Sequence, residues 1–190
     1  MTNAMTEVSV ILTRRMRLVP MSGELMSAVL TEDWAGASDL VGNPIPEEWH
    51  QQQWDWLRKY AERAEKDPSS IAWGPRLLLC EVSDGSGLAS GTVIGEAGFH
   101  GRPDAYGQVE IGYMVVSEYR RQGFAEEAAG GLVRWAETDS GVTELKAMVD
   151  PLNSPSINLL CKLGFAQAGR EHHVERGEQL IFRRRASASS

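Results

Sequence analysis

The run Arg120-Arg121-Gln122-Gly123-Phe124-Ala125 sets a basic pair and a glycine between a strand-like segment, residues 110–116, and a helix-forming one. Gly123 lets the backbone turn tightly with no Cβ in the way. The amides of about residues 121–126 then become orphan donors at a helix N-terminus, reinforced by the positive end of the helix dipole. That is an anion site suited to a pyrophosphate. Arg120 and Arg121 add positive charge beside it. Taken alone, the same pattern also describes an ordinary basic turn before a helix.

Other residues are suited to moving protons. Glu110 stands in an otherwise apolar strand, where burial would raise its pKa toward a value useful to a base. The alternative is a solvent-facing position, since strands alternate faces. Glu96, in Gly95-Glu96-Ala97-Gly98-Phe99, is a second candidate base, and His100 a third. Ser156 offers a hydroxyl at the start of a short helix, where it equally satisfies a local backbone donor. Asn153 just before it is suited to capping that helix. Five of the six tryptophans precede residue 74, including Trp49, Trp54 and Trp56. They make either an aromatic cleft for a flat or cationic acceptor or, for most of them, core. Trp54 lies off the main helical stripe and is the one expected to be exposed. His172-His173 lack partners at metal-ligand spacing, so no metal site is expected. Cys80 and Cys161 lie in apolar runs and read as buried thiols, with no disulfide framework and no nucleophile.

The elements that must position these groups begin with a strand at 10–19 ended by Pro20. A helix capped by Ser22 follows to about residue 30. A longer helix spans 46–66, its stripe carrying Trp49, Gln53, Trp56, Leu57, Tyr60 and Ala64. Strands are expected at 71–82 and 92–99, joined by a turn-rich linker at 83–87, then at 109–116. A helix at 124–137, containing Gly130-Gly131, leads to a strand at 144–149. A short helix runs from 155 and stops at Gly164. Strands at 165–171 and 179–184 form a hairpin around 175–178. The class is α/β (mixed α+β): about seven strands in one mixed, mostly antiparallel sheet with about four helices on its faces.

The 190 residues suit one domain with a sizeable core, residues 1–7 and 186–190 being expected to fray. Nineteen basic against 26 acidic residues give a net charge of −7. That disfavours general nucleic-acid binding and suits a cationic acceptor such as an amine. No apolar run approaches the ~18 residues of a membrane span, and the N-terminus lacks a secretion-signal layout. A cytoplasmic location is expected by default.

Arg-x-x-Gly-x-Ala behind a strand is followed about thirty residues later by Asn153-x-x-Ser156 and Lys162-Leu163-Gly164-Phe165. The pair of motifs resembles the GNAT superfamily of acetyltransferases over about residues 91–166. The outer segments agree in element order alone. The resemblance implies that the amides of Arg120, Arg121, Gln122, Gly123, Phe124, Ala125 and Glu126 hold the pyrophosphate of acetyl-CoA. The backbone of Met114, Val115 and Val116 would pair with the pantetheine arm where that strand splays from the next, and Asn153 would contact the same arm. The run Glu110-Ile111-Gly112-Tyr113 is similar to the branch that acetylates ribosomal-protein N-termini. There the matching glutamate deprotonates the amine, through water. In many members a tyrosine four residues before the Gly-Phe pair serves the departing thiolate, but that position here is Leu160. The resemblance therefore moves this role to Ser156. By the same likeness Trp54, Glu96, Phe99 and His100 lie in acceptor-binding regions.

The implied activity is direct transfer of acetyl to a primary amine, a peptide N-terminus or small amine, in a ternary complex without metal, by a monomer or homodimer. The alternative is a CoA-binding sensor or interaction protein with little catalysis. Leu160 favours the sensor; Glu110 and Ser156 together favour the enzyme.

Overall fold

The computed structural model describes residues 10–52, 54–81, 88–174 and 176–187. Expectations for Gln53, the 83–87 linker, Glu175 and the terminal stretches 1–7 and 188–190 lie outside the described residues. The elements are β1 Ile11–Leu12, β2 Met16–Pro20, α1 Gly23–Leu30, α2 Trp34–Val41, α3 Asp55–Lys66, β3 Pro75–Cys80, β4 Val93–Phe99 and β5 Gln108–Val115. They continue with α4 Phe124–Ala136, β6 Glu144–Val149, α5 Ser154–Lys162, β7 Ala166–His173 and β8 Gly177–Arg185. One mixed sheet runs β1-β2-β3-β4-β5-β6-β8-β7. All neighbours are antiparallel except β5 and β6, which α4 connects in parallel.

The class matches the expectation; the eighth strand is new. Residues 10–19 fold as a hairpin because Thr13 turns the chain, its amide and hydroxyl both donating to the Met16 carbonyl. The unexpected α2 is bounded by Asp33, whose carboxylate accepts from the Gly36 amide, and by Gly42 in the left-handed region. The helix expected at 46–66 is two pieces, a 3-10 turn at Glu47–Gln51 and then α3. A second 3-10 turn, Pro68–Trp73, replaces the start of the strand expected at 71, because Asp67 caps Ser69 and Pro68 fits the first turn. Among the described residues no helix is long and apolar enough to cross a membrane.

The sheet has a core on each face. On one, Phe124, Ala128 and Leu132 of α4 pack on Leu18, Ile94 and Ile111. On the other, Leu25, Val29, Trp49 and Leu57 cover Leu77, Leu79 and Val116. Leu160 of α5 is buried, so its neighbour Cys161 is exposed rather than the buried thiol expected.

The opening in this layered arrangement comes from β5. Its first residues, Gln108 to Glu110, pair with β6, while Ile111 to Val115 pair with β4 alone. Beyond Glu110 the two parallel strands diverge, leaving one edge of β5 uncovered. Gly95 keeps β4 close to β5 there, since a Cβ at that position would lie 2.1 Å from the Met114 carbonyl oxygen.

Candidate active site

A cavity of about 600 Å³ occupies the divergence, its wall including Glu96, His100, Gly112, Tyr113, Asn153 and Ser156.

The loop after β5 forms a short 3-10 turn, Ser117–Tyr119, and then passes through two left-handed residues, Arg121 (φ 61°) and Gly123 (φ 82°). Gly123 is the N-cap of α4 and supplies no side-chain cap. Among the described residues the amides of Arg121 to Glu126 have no acceptor, and the Glu127 amide is the first to bond back, to Gly123 at 3.1 Å. Successive free amides at the start of a thirteen-residue helix form an anion cradle.

The two arginines are not equivalent. Arg120 turns away from the cradle, its Nε donating to the Val115 carbonyl at 2.7 Å and its Nη2 pairing with Glu48 at 2.9 Å. Glu48 also accepts from the Ser117 amide, which chiefly holds its carboxyl below the usual range. The positive charge expected from Arg120 thus ties the loop to the turn before α3. Glu126 points its carboxylate at Lys162, 2.7 Å away. The clamp that sequence reading missed is Arg15, in the β1–β2 turn. It donates to the Gln122 carbonyl at 3.0 Å, pairs with Glu127 at 2.8 Å, and lies over the Phe124 ring at 4.2 Å. Nothing local in the sequence marks a residue more than a hundred positions away.

Hydrogen bonding sorts the backbone of β5. Glu110 accepts from the His100 amide and the Val116 amide donates to Ile94, so even-numbered residues turn toward β4. Ile111, Tyr113 and Val115 turn toward the divergence. Of the three residues expected to offer backbone to a ligand, Met114 and Val116 are therefore engaged with β4. Val115 faces the cleft, with its carbonyl taken by Arg120.

Side chains follow the same alternation. Glu96 pairs in register with Met114 and Gly98 with Gly112, so Glu96, His100 and Glu110 share the face covered by α1 to α3. Tyr113 is on the other face, toward α5.

The Glu110 carboxylate lies 2.9 Å from His100 Nδ1 and 3.5 Å from Lys146 Nζ. Burial alone would raise its pKa, but His100 and Lys146 outweigh that and hold it below the usual range. The expectation of a raised Glu110 is reversed, chiefly because His100 bonds its carboxylate, and further because the register sets Lys146 opposite it on β6. Glu96 behaves in the opposite way. Burial pushes it up to about 7, opposed only by nearby His100. Among the described residues no hydrogen bond engages its carboxyl. The His100 ring covers Gly112, where a Cβ would lie 2.8 Å from Nε2. It also faces Trp56, with ring centroids 6.5 Å apart.

The remaining acceptor candidates divide. Trp54 is buried, edge-on to Trp49 at 5.1 Å, with its indole N–H donating to the Trp49 carbonyl. Phe99 is buried against Trp73 and Trp135. Trp54 is therefore not the exposed tryptophan that was expected; Phe99 and Trp56 line the cavity.

On the opposite side Asn153 caps α5, accepting from the Ser156 amide at 3.2 Å. The Ser156 hydroxyl lies 2.8 Å from that of Tyr113. Burial raises the Tyr113 phenol, and the bond to Ser156 opposes that rise. Tyr113 was not a sequence candidate, although it sits in the run that carries Glu110. Among the described residues no group of three His, Cys, Asp or Glu could hold a metal ion.

Residues 15–166 match the family described as acetyltransferase (GNAT) domain. The chain belongs to the GNAT acetyltransferase family. It is 38% identical over 73 residues, 38% of its length, to the uncharacterized N-acetyltransferase YjdG of Bacillus subtilis (strain 168). It is 33% identical over 87 residues, 45% of its length, to the uncharacterized N-acetyltransferase YoaA of the same organism. The chain spans about half the length of these curated relatives, 44% and 49%. A GNAT-family acetyltransferase from Bacillus anthracis shares the fold at a TM-score of 0.61 and 16% identity, over 94% of this chain and 99% of that one. RimL, a ribosomal alpha-N-protein acetyltransferase solved in complex with coenzyme A, does so at 0.64 and 12% identity, over 95% and 100%.

In this GNAT chain the two walls of the cleft differ chemically. One carries a carboxylate that titrates near neutrality beside a histidine. The other carries two coupled hydroxyls. A titratable carboxylate and a hydroxyl pair thus flank one stretch of open strand edge.

Proposed function

We propose that this chain is an acetyl-CoA-dependent N-acetyltransferase that moves an acetyl group directly to a primary amine in a ternary complex. The observation that carries the proposal is the uncovered edge of β5 at Ile111, Tyr113 and Val115, leading straight into the loop of free amides at 121–126. A long thioester ending in a pyrophosphate fits this pairing: the amides would hold its phosphates and the strand edge its amide-bearing arm. Bound there, acetyl-CoA supplies the activated acyl group.

Glu96 is the base in this reading. Its carboxyl is unencumbered and titrates at about 7, close to working pH. Glu110 acts one step removed, as the partner that orients His100 through Nδ1. Ser156 addresses the departing sulfur from the far wall, and free amides on the β5 edge are available to polarise the thioester carbonyl. An α-amine, with a pKa of about 8, demands less of such a base than a lysine amine at about 10.4. A peptide N-terminus or a small α-amine is therefore the favoured acceptor.

The test is thiol release from acetyl-CoA with an amine panel that includes short peptides with free N-termini. Release that depends on an amine and falls in Glu96→Gln supports the proposal. CoA binding with no release on any amine would instead favour the sensor, and absence of CoA binding would sink both.

A further inference from the structure

We infer that Tyr113, coupled to Ser156, is the group whose proton goes to the departing sulfur. This rests on the acetyl-transfer reading above and assigns a residue that reading lacks.

The argument begins with the 2.8 Å between the two hydroxyl oxygens. Two hydroxyls in one hydrogen bond hold two protons. One proton closes the bond and the other remains free to donate outward. A phenol, with an ordinary pKa of about 10, is a far stronger acid than an aliphatic alcohol. If Ser156 donates to Tyr113, the phenol proton is the one left free to pass to a departing sulfur. If Tyr113 donates to Ser156, the serine proton leaves while the phenol proton replaces it. In both arrangements the negative charge ends on Tyr113, so the pair functions as a tyrosine acid.

Placement supports the same conclusion. Tyr113 lies on β5 past its last contact with β6, within the open edge. It shares the cavity wall with Glu96, but from the opposite face of the sheet. Asn153 fixes the start of α5 through the Ser156 amide, which sets the serine against the phenol. Position 160 is a buried leucine, so α5 offers no phenol of its own there. Burial also keeps the Tyr113 phenol protonated at working pH.

The step balances. The amine lone pair forms the C–N bond at the thioester carbonyl carbon while the C–S bond breaks and sulfur takes the electron pair. Glu96 accepts one proton from the amine, and sulfur receives one from Tyr113. Glu96 then loses its proton to solvent and Tyr113 regains one, so no proton is consumed overall.

The experiment compares wild type, Tyr113→Phe, Ser156→Ala and the double variant on the best amine, with acetyl-CoA affinity measured by calorimetry. Tyr113→Phe should lower kcat by about a hundredfold or more, the usual worth of general-acid help, while acetyl-CoA still binds as in wild type. Ser156→Ala should lose less, and the double variant no more than Tyr113→Phe alone, because coupled groups are not additive. Wild-type kcat in Tyr113→Phe, or a full loss in Ser156→Ala with Tyr113→Phe intact, overturns the inference. A wild type that binds acetyl-CoA yet acetylates nothing removes the underlying reading instead. Phe keeps the ring packing, and Ser156→Ala gives a second readout if the first variant folds poorly.

Discussion

The Nδ1 nitrogen of His100 lies 2.9 Å from Oε1 of Glu110, and this contact assigns separate tasks to two glutamates on one face of the sheet. Glu110 is held ionised by His100 and by Lys146 across the β5–β6 ladder. Among the described residues Glu96 has no hydrogen-bonding partner, and burial, opposed only by the nearby His100, pushes its pKa up to about 7. In the proposed reaction Glu96 is therefore the base, and Glu110 fixes the imidazole of His100.

If Glu96 takes the amine proton, the rate should climb as pH rises through about 7. Glu96→Gln should lose that limb and roughly 10²–10⁴-fold in kcat/KM. Stability should move the other way. A carboxyl whose folded pKa is raised binds more protons when folded, so wild-type stability declines between its ordinary pKa and about 7. Urea midpoints at pH 5 and pH 8 should show this decline in wild type and lose it in Glu96→Gln.

Glu110 has the opposite sign. Its folded pKa is depressed, so its contribution is present above the ordinary carboxylate pKa and disappears as pH falls through the lower folded value. Glu110→Gln should be less stable than wild type at pH 7 and converge with it in acid. It should also cost about tenfold in kcat/KM, as His100 loses its orienting partner, a penalty of ~1.4 kcal/mol. Chemical denaturation across the acid range checks the first outcome and steady-state kinetics the second.

Gly123 adopts φ 82° at the mouth of the amide cradle. Gly123→Val should strain that turn by about 1–2 kcal/mol and misdirect the amides behind it. The expected result is at least a tenfold weaker calorimetric affinity for CoA. Dependence on amine concentration should hardly change. An unaltered CoA affinity would remove the loop from the donor site.

Arg15 joins the first hairpin to the loop through Gln122, Glu127 and the Phe124 ring. The guanidinium is largely enclosed, with 14% of the side chain exposed. Arg15→Ala should cost roughly 2 kcal/mol of stability, as expected for a lost hydrogen bond to a charged group. It should also raise KM for acetyl-CoA by loosening the cradle. Thermal melts and donor-saturation curves check both effects.

The parts of this architecture that could be read directly from sequence are those set by local rules. Ser22 and Asn153 cap helices as their chemistry dictates, Gly123 turns into α4, and α4 itself starts where its first apolar residue falls. Asp33 and Gly42 bound α2 by equally local rules. The misplaced strand start at residue 71 arose because apolar content there outweighed the turn signal of Asp67-Pro68. The burial of Trp54 could not be seen, since a continuous helix sets it off the apolar stripe, whereas with the break before α3 it packs into the core.

Residue types and their spacing were enough to specify the glycine turn into α4, the family and the alternation of sheet and helix, because each depends on dihedral preferences and periodicity within a few residues. Which carboxylate is suited to accept a proton near neutral pH was decided only in three dimensions. Lys146 meets Glu110 through strand register, and Ser156 meets Tyr113 across the cleft from 43 positions away. Arg15 meets the loop from the far end of the chain. A pKa depends on desolvation and on charges within a few ångströms, whatever their separation in sequence. The chemistry of Glu96, Glu110 and Tyr113 is therefore a property of the folded sheet.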